Sequence, residues 1–386
     1  MAKLSHIEQL IHNLCPNGVP FATLDQVCKS SMGEFVHKDK QRPDAPYPVF
    51  NGGTTNTGYY DQYNTVGPKV IISARGAAGF VNKVEGKFWA GNSCHVITIK
   101  DEYILNWKYL YYALKSIEGK IIGQQQKGGG VPAVSKTQIS ELSIPFPPMA
   151  IQEEIVRIID IFANLVNNID EEIAARQRQL EGARESLFTN RGKDWKEKTL
   201  EDVGQLIKGS GILKSDFVEV GHPCIHYGQI HTHYKTSANE VIAYISEKLY
   251  AKCKKAQTGD LVIATTSEDV PACCKATAWL GKEDVAVSGD AHILHHNQDP
   301  LFMSYLFQTN LFSQQRALAA AGAKVTRVSG DKLKKFRFFF PPIKEQQAIA
   351  AKLDTIEAFI ANLNEERTLR QQQYEYYRAK LISLLK

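Results

Sequence analysis

Six short stretches of this chain gather side chains that carry paired hydrogen-bond donors and acceptors. In the N-terminal half they are Asn51-Gly52-Gly53-Thr54-Thr55-Asn56, Ser73-Ala74-Arg75-Gly76, and Gln124 through Lys127 followed by Gly128-Gly129-Gly130. In the C-terminal half they are Tyr227 through His233, Thr265 through Asp269, and Lys324-Val325-Thr326-Arg327. Arg and Lys match the acceptors of guanine, Asn and Gln match the donor and acceptor of adenine, and Ser or Thr suits either. Glycine beside such residues lets backbone approach a phosphate closely. The chemistry open to Asn51, Thr54, Asn56, Arg75, Lys127, Gln229, His231, Thr266, Ser267, Lys324 and Arg327 is therefore recognition of base edges and phosphates. The competing reading of each is an ordinary polar turn.

Covalent chemistry leaves few traces. There is no Walker A lysine loop, no GxSxG elbow, no HExxH and no Asn-Pro-Pro-aromatic stretch. Pro43-Asp44 with the later Glu85-Gly86-Lys87 has the residue types of a metal-dependent nuclease, but the spacing is long and nothing surrounds it. No catalytic residue is assigned, and the chain is expected to be no enzyme by itself. His222, Cys224 and His226 alternate along an expected strand and would share a face, as a zinc site needs. Their spacing matches no established finger, so no metal is assigned. Adjacent Cys273 and Cys274 are expected to point to opposite faces of a strand.

These stretches must be positioned by larger elements, and a repeat shows which. ISELSIPFPPMAIQEEIVRIID from Ile139 and LKKFRFFFPPIKEQQAIAAKLD from Leu333 superimpose without a gap on shifting by 194 positions. The match sets Pro147 on Pro341, Pro148 on Pro342, Gln152 on Gln346, Asp160 on Asp354, Arg176 on Arg370, Arg184 on Arg378 and Leu187 on Leu381. The chain is thus a tandem duplication. Each proline pair sits where a helix tolerates it, in the first turn. The helix that follows has an apolar heptad, Ile155, Phe162, Ile169 with Ile159, Val166, Ile173 in the first, and the second keeps its register with Ile349, Ile356, Leu363 and Leu353, Ile360, Arg367. Each spans about 40 residues, roughly 60 Å, too long for the surface of a small domain. They are expected to pair antiparallel. Arg176 and Arg370 stand at matching seam positions, either snorkelling to the seam's edge or fixing its register.

The rest is globular. Residues 1–18 show a helical pattern, and short apolar runs follow: YPVF, GPKVIIS, GFVNKV, HVITI and LSIPF, with one helical stretch WKYLYYALKSI. The second block repeats this outline and not its residues: HPCIHYG stands for YPVFNGG and GDLVIATTSE for GPKVIISARG. Helices that keep their sequence beside blocks that keep only their pattern suggest one scaffold carrying two related readers of different specificity. The boundaries are 1–146 (with a docking helix in 1–18), 147–191, 192–340 and 341–386.

Net charge is +5, and the segments 149–191 and 341–386 carry −3 and +1, leaving +7 for the globular blocks, which suits a polyanion. No apolar run approaches the roughly 20 residues needed to span a bilayer, and the start of the chain lacks the apolar core of a signal peptide. Seven cysteines with no CxxC pair read as reduced thiols. The cytoplasm is the expected location.

The motifs Gly128-Gly129-Gly130-Val131, Pro147-Pro148-Met149-Ala150-Ile151-Gln152, Val325 through Ser329, and Pro341-Pro342-Ile343-Lys344-Glu345-Gln346, in this order and duplicated, make the chain resemble the specificity subunit of type I restriction-modification enzymes. The resemblance covers essentially the whole chain, although Ala150-Ile151 departs from Lys344-Glu345. It implies an α+β fold in which two target-recognition domains are separated by a pair of long antiparallel coiled-coil helices, a pseudo-twofold tandem repeat. It implies double-stranded DNA as ligand, read as a bipartite asymmetric sequence, two methyltransferase subunits docked on the helices, and motor-nuclease subunits joining them. Gln152, Arg176, Gln346 and Arg370 become candidates for register and docking. The chain would bind no cofactor, S-adenosylmethionine belonging to the partner methyltransferase. Half-sites on one face of DNA recur about every 34–36 Å, so a rigid spacer is what bipartite readout needs. The competing function is a structural adaptor whose two blocks bind proteins; salt-sensitive binding to duplex DNA separates the two.

Overall fold

A computed structural model describes residues 5–123, 132–322 and 326–386. The chain forms two compact units, residues 1–170 with 365–386, and residues 171–364. Both boundaries fall inside the long helices, Met149–Thr189 and Ile343–Ser383. Each unit therefore owns the first half of one helix and the last half of the other.

In the first unit, Ser5 opens the helix His6–Leu14 with a capping box. Its backbone N–H donates to Glu8 Oε2 at 2.7 Å, and Ile7 is buried. Phe21–Thr23 pairs antiparallel with Ser143–Pro145, so the strand that runs into the proline pair is held by the start of the domain. A four-stranded antiparallel sheet follows the order Cys28–Met32, Cys94–Ile99, Lys69–Ser73, Val81–Val84. A second sheet contains Tyr47–Phe50 parallel to Lys87–Ala90. The runs YPVF and KVIIS, and the helix Trp107–Ser116, lie where the sequence patterns place them. The strand Cys28–Met32 is too polar to announce itself, and Lys87–Ala90, although apolar, is only four residues long.

The second unit repeats this plan. Lys196–Thr199 pairs with Arg337–Phe340. Gly204–Lys208, Ala291–His296, Leu261–Ala264 and Lys275–Trp279 form an antiparallel run, with the short strand Ser237–Ala238 at its edge. His222–Ile225 lies parallel to Val285–Val287, as Tyr47–Phe50 does to Lys87–Ala90. The α+β class and the repeat thus hold at the level of strand pairing.

Each core is closed by helix. In the first unit Ile151, Ile155 and Ile159 pack with Tyr109, Leu110 and Leu114 of the helix Trp107–Ser116, together with Ile7 and with Leu381, Ile382 and Leu385 from the chain's far end. Phe162 stacks on Tyr377 with ring centroids 4.5 Å apart, and Asp170 pairs with Arg367, so the two helix segments run antiparallel. In the second unit Phe188 and Trp195 join Phe302, Phe338, Ile349 and Leu353. Arg176 there lies over the Phe359 ring at 5.3 Å and Trp195 Nε1 donates to Glu345 Oε1 at 3.0 Å, again with opposite directions. The heptad residues from Ile155 to Leu187 and from Ile349 to Leu381 are all buried or half-buried. No helix among the described residues is long and apolar enough to cross a membrane.

The glutamine after each proline pair is wholly buried. Gln152 Nε2 donates to the carbonyls of Ile104 and Pro147, and its Oε1 accepts from Asn106 N–H. Gln346 Nε2 likewise donates to the Pro341 carbonyl, and to Gln298 Oε1, while its Oε1 accepts from Asp299 N–H. Neither side chain is on a surface, which corrects the expectation that they dock a partner. Each locks the start of a long helix to its own domain.

Candidate nucleic-acid interface

In the first unit the loops 51–56 and 73–77 are brought together back to back. Ala77 N–H donates to Gly52 O at 2.7 Å, and Ser73 Oγ donates to Gly53 O at 2.9 Å. The fit depends on glycine. A Cβ at Gly52 would lie 2.3 Å from the Arg75 carbonyl oxygen, and Gly76 holds φ +72 with a Cβ position 2.7 Å from Gly52 O. Thr54 and Arg75 are exposed, Asn56 is half-buried, and Asn51 spends its Oδ1 on the N–H of Ser93 at 3.0 Å. Arg75 bridges Ala133, and Val134 N–H donates to Ala74 O at 2.9 Å, so the segment after residue 131 is held to the same cluster.

The second unit closes its cluster with the matching bond, Val328 N–H to Thr265 O at 3.1 Å, and Thr266–Ser267 pairs with Thr326–Arg327. Its first segment differs. Tyr227–Thr232 is a helix and not a loop, because His226 caps it by accepting Gly228 N–H and Gln229 Oε1 returns to His226 N–H at 2.8 Å. His231 Nε2 meets the Thr266 carbonyl at 2.9 Å, tying this helix to the second segment. Gln229 and His231 thus spend polar atoms inside the domain. Thr266 and Ser267 are buried, which corrects their reading as surface loop residues. Arg327 is exposed, 3.3 Å from Asp290. Lys127 and Lys324 lie outside the described residues.

A cleft of about 640 Å³ opens over this second cluster. Thr265, Thr266 and half-buried His292 line it together with Lys208, Arg327, Lys332, Lys334, Asp290 and Asp331. His292 Nδ1 lies 3.0 Å from Thr265 Oγ1, and burial, with Lys208 and Lys334 nearby, pushes its pKa down. The cleft's positive charge therefore rests on Lys208, Arg327, Lys332 and Lys334, of which Arg327 pairs with Asp290 and Lys334 with Asp331. Lys208, Lys332 and Lys334 were not singled out by sequence reasoning, although the run Asp331-Lys332-Leu333-Lys334-Lys335 was visible.

The histidines of the second unit are separately engaged. His222 pairs with Glu247 and stacks on Tyr250, Cys224 sits in the core with its thiol pushed up to about 12 by burial, and His226 is a helix cap. Among the described residues no three His, Cys, Asp or Glu side chains gather as a metal site. Cys273 and Cys274 do not point apart as a strand would make them. They precede the strand Lys275–Trp279, with Cys274 at φ +63 and the sulfurs 3.9 Å apart.

On the helices, Arg176 pairs with Glu172 and Gln179, and Arg370 with Glu366 and Gln373, each within its own helix and half-buried at the seam's edge. The cross-helix pair is Arg367 with Asp170, at 2.6 and 3.3 Å. Its signal was present: Arg367 breaks the repeat at the position where the first copy has Ile173.

The sequence pattern of the type I restriction modification DNA specificity domain matches twice, over residues 16–175 and 192–370. The chain belongs to that family. A type I restriction enzyme specificity subunit of Escherichia coli is 26% identical over 414 aligned positions, covering 100% of this chain and 98% of its own. The crystal structure of a type I S subunit from M. genitalium shares the fold, with a TM-score of 0.59 at 17% identity over 95% of this chain and 96% of that one. A chain from a structure of a type I R-M system aligns with a TM-score of 0.57 at 15% identity, covering 96% and 98%. As a specificity subunit the chain places its two family matches on the two halves of the duplication, one for each set of clustered loops. Membership favours this reading over the adaptor.

Proposed function

We propose that each unit reads one half of a bipartite, asymmetric double-stranded DNA target, and that the long helices dock two methyltransferase subunits which motor-nuclease subunits then join. The observation that carries this is the repeated cluster. Each unit joins its second and third segments through a matching backbone bond, Val134 to Ala74 and Val328 to Thr265, yet presents different side chains, Arg75 in one and Arg327 beside Lys208 in the other. A common frame with unlike side chains is what two half-site specificities require. Docking is supported by apolar helix residues left exposed outside the heptad seam: Ile161, Leu165, Leu369 and Tyr376 in the first unit and Phe359 in the second. The chain itself carries out no catalysis, S-adenosylmethionine is held by the methyltransferase, and the complex works in the cytoplasm.

The test is duplex binding by the chain with and without its methyltransferase, followed by mapping of methylated adenines. Salt-dependent binding and a two-part methylated motif are expected. Absence of salt-dependent duplex binding even with the methyltransferase present would sink the reading.

A further inference from the structure

The second unit has another cleft, of about 430 Å³, lined by Arg184, Lys235, Lys275, Arg316, Gln308 and Glu357 among others. Four cations face one carboxylate there, and that carboxylate is already engaged: Glu357 accepts from Thr236 Oγ1 at 2.9 Å and from Tyr305 OH at 2.6 Å. The guanidiniums are incompletely satisfied. Arg184 Nη1 reaches Gln308 Oε1 at 3.3 Å, while its Nε is buried without an acceptor among the described residues, 3.7 Å from a Glu185 oxygen that receives the N–H of Asn310. Arg316 donates to the Cys273 carbonyl at 3.4 Å and to Ser313 Oγ at 3.1 Å, and its Nε too is buried without an acceptor among the described residues. Among the described residues Lys275 donates to the His231 carbonyl alone, at 3.2 Å, and burial pulls its pKa down.

Two buried guanidinium donors without acceptors are costly, and like charges gathered in one cleft add to that cost unless an anion completes them. The other half of the duplication makes the contrast. Arg378, which matches Arg184, lies over the ring of Tyr374 at 5.4 Å, so its charge is met by an aromatic face. In the second unit no ring takes that part for Arg184 among the described contacts. Two forks and two ammonium groups offer more donors than the two oxygens of a carboxylate accept, and suit the several oxygens of a phosphate.

We propose that this cleft binds a phosphate group, held by Arg184, Arg316 and Lys275. The phosphate is either free or part of a DNA backbone. Only the second source rests on the DNA reading above.

Thermal unfolding of the full chain is measured in sodium phosphate, sodium acetate and sodium chloride at matched ionic strength. Wild type is expected to gain several degrees in phosphate with a saturating dose response, and R316Q and K275Q to lose that gain. The same variants are titrated with duplex DNA across a salt series. A slope of log K against log salt lower by about 0.9 per removed cation identifies the backbone as the source; an unchanged slope with the phosphate response intact in wild type identifies the free ion. No saturable phosphate response together with unchanged slopes overturns the proposal, as does an equal gain in acetate. The phosphate arm uses no DNA, so it stands or falls apart from the reading of bipartite targets.

Discussion

The side-chain oxygen of Gln152 accepts the backbone N–H of Asn106 at 2.9 Å, and Asn106 in turn caps the helix Trp107–Ser116 by accepting the N–H groups of Lys108 and Tyr109. Gln346 and Asp299 repeat the relay, Asp299 capping the helix that begins at Pro300. One glutamine thereby fixes two helix starts. Q152A removes three hydrogen bonds in a fully buried position and leaves polar backbone groups without partners. A loss of roughly 2–3 kcal/mol is expected, and Q346A should cost about as much; denaturant midpoints check both.

Arg75 and Arg327 occupy equivalent clusters in separate units. R75A should relax base preference in one half of the target and leave the other half unchanged, and R327A should do the reverse. A base contact is worth about 1–3 kcal/mol of discrimination. Selection of bound sequences from a randomised duplex reads both halves at once.

Lys208 makes no ion pair among the described residues and lines the cleft beside Arg327. K208A should weaken binding to all duplexes alike and lower the salt slope by about 0.9. A change in sequence preference instead would assign Lys208 to a base.

His296 is held down to about 4 by burial, well below its ordinary value. Its neutral form is the native one, so the unfolded chain takes up the proton first as pH falls. Stability is full above pH 6.5 and is lost between there and about 4, by as much as roughly 3 kcal/mol from this group. H296Q should flatten the upper part of that acid limb, which thermal unfolding between pH 7 and 5 measures.

Cys274 holds φ +63, where a side chain is disfavoured. C274G should be more stable than C274A by about 1 kcal/mol, since both lose the thiol and only glycine relieves the backbone. Equal midpoints would show the conformation to be unstrained.

Much of this fold was legible because periodicity survives duplication. The heptads from Ile155 and Ile349 gave the seam, and YPVF and KVIIS gave their strands. The loops were harder. Tyr227–Thr232 reads as a polar turn until His226 and Gln229 are seen to cap a helix, a bond between near neighbours that competes with no apolar pattern. Thr266 and Ser267 look like surface residues by type, but the strand Thr326–Arg327 covers them, a pairing across some 60 residues that no local signal encodes. Gln152 and Gln346 stood out by matching across the repeat. That match pointed to a shared role without saying that the role was internal.

The core of the first unit includes Leu381, Ile382 and Leu385 as well as Ile7, whereas the second unit is one uninterrupted stretch. During synthesis, which delivers residues in order, the second unit has all of its own segments once residue 364 has left the ribosome. The first unit, begun earliest, still lacks Leu381, Ile382 and Leu385 of its core at that moment. The domain made first is the one completed last.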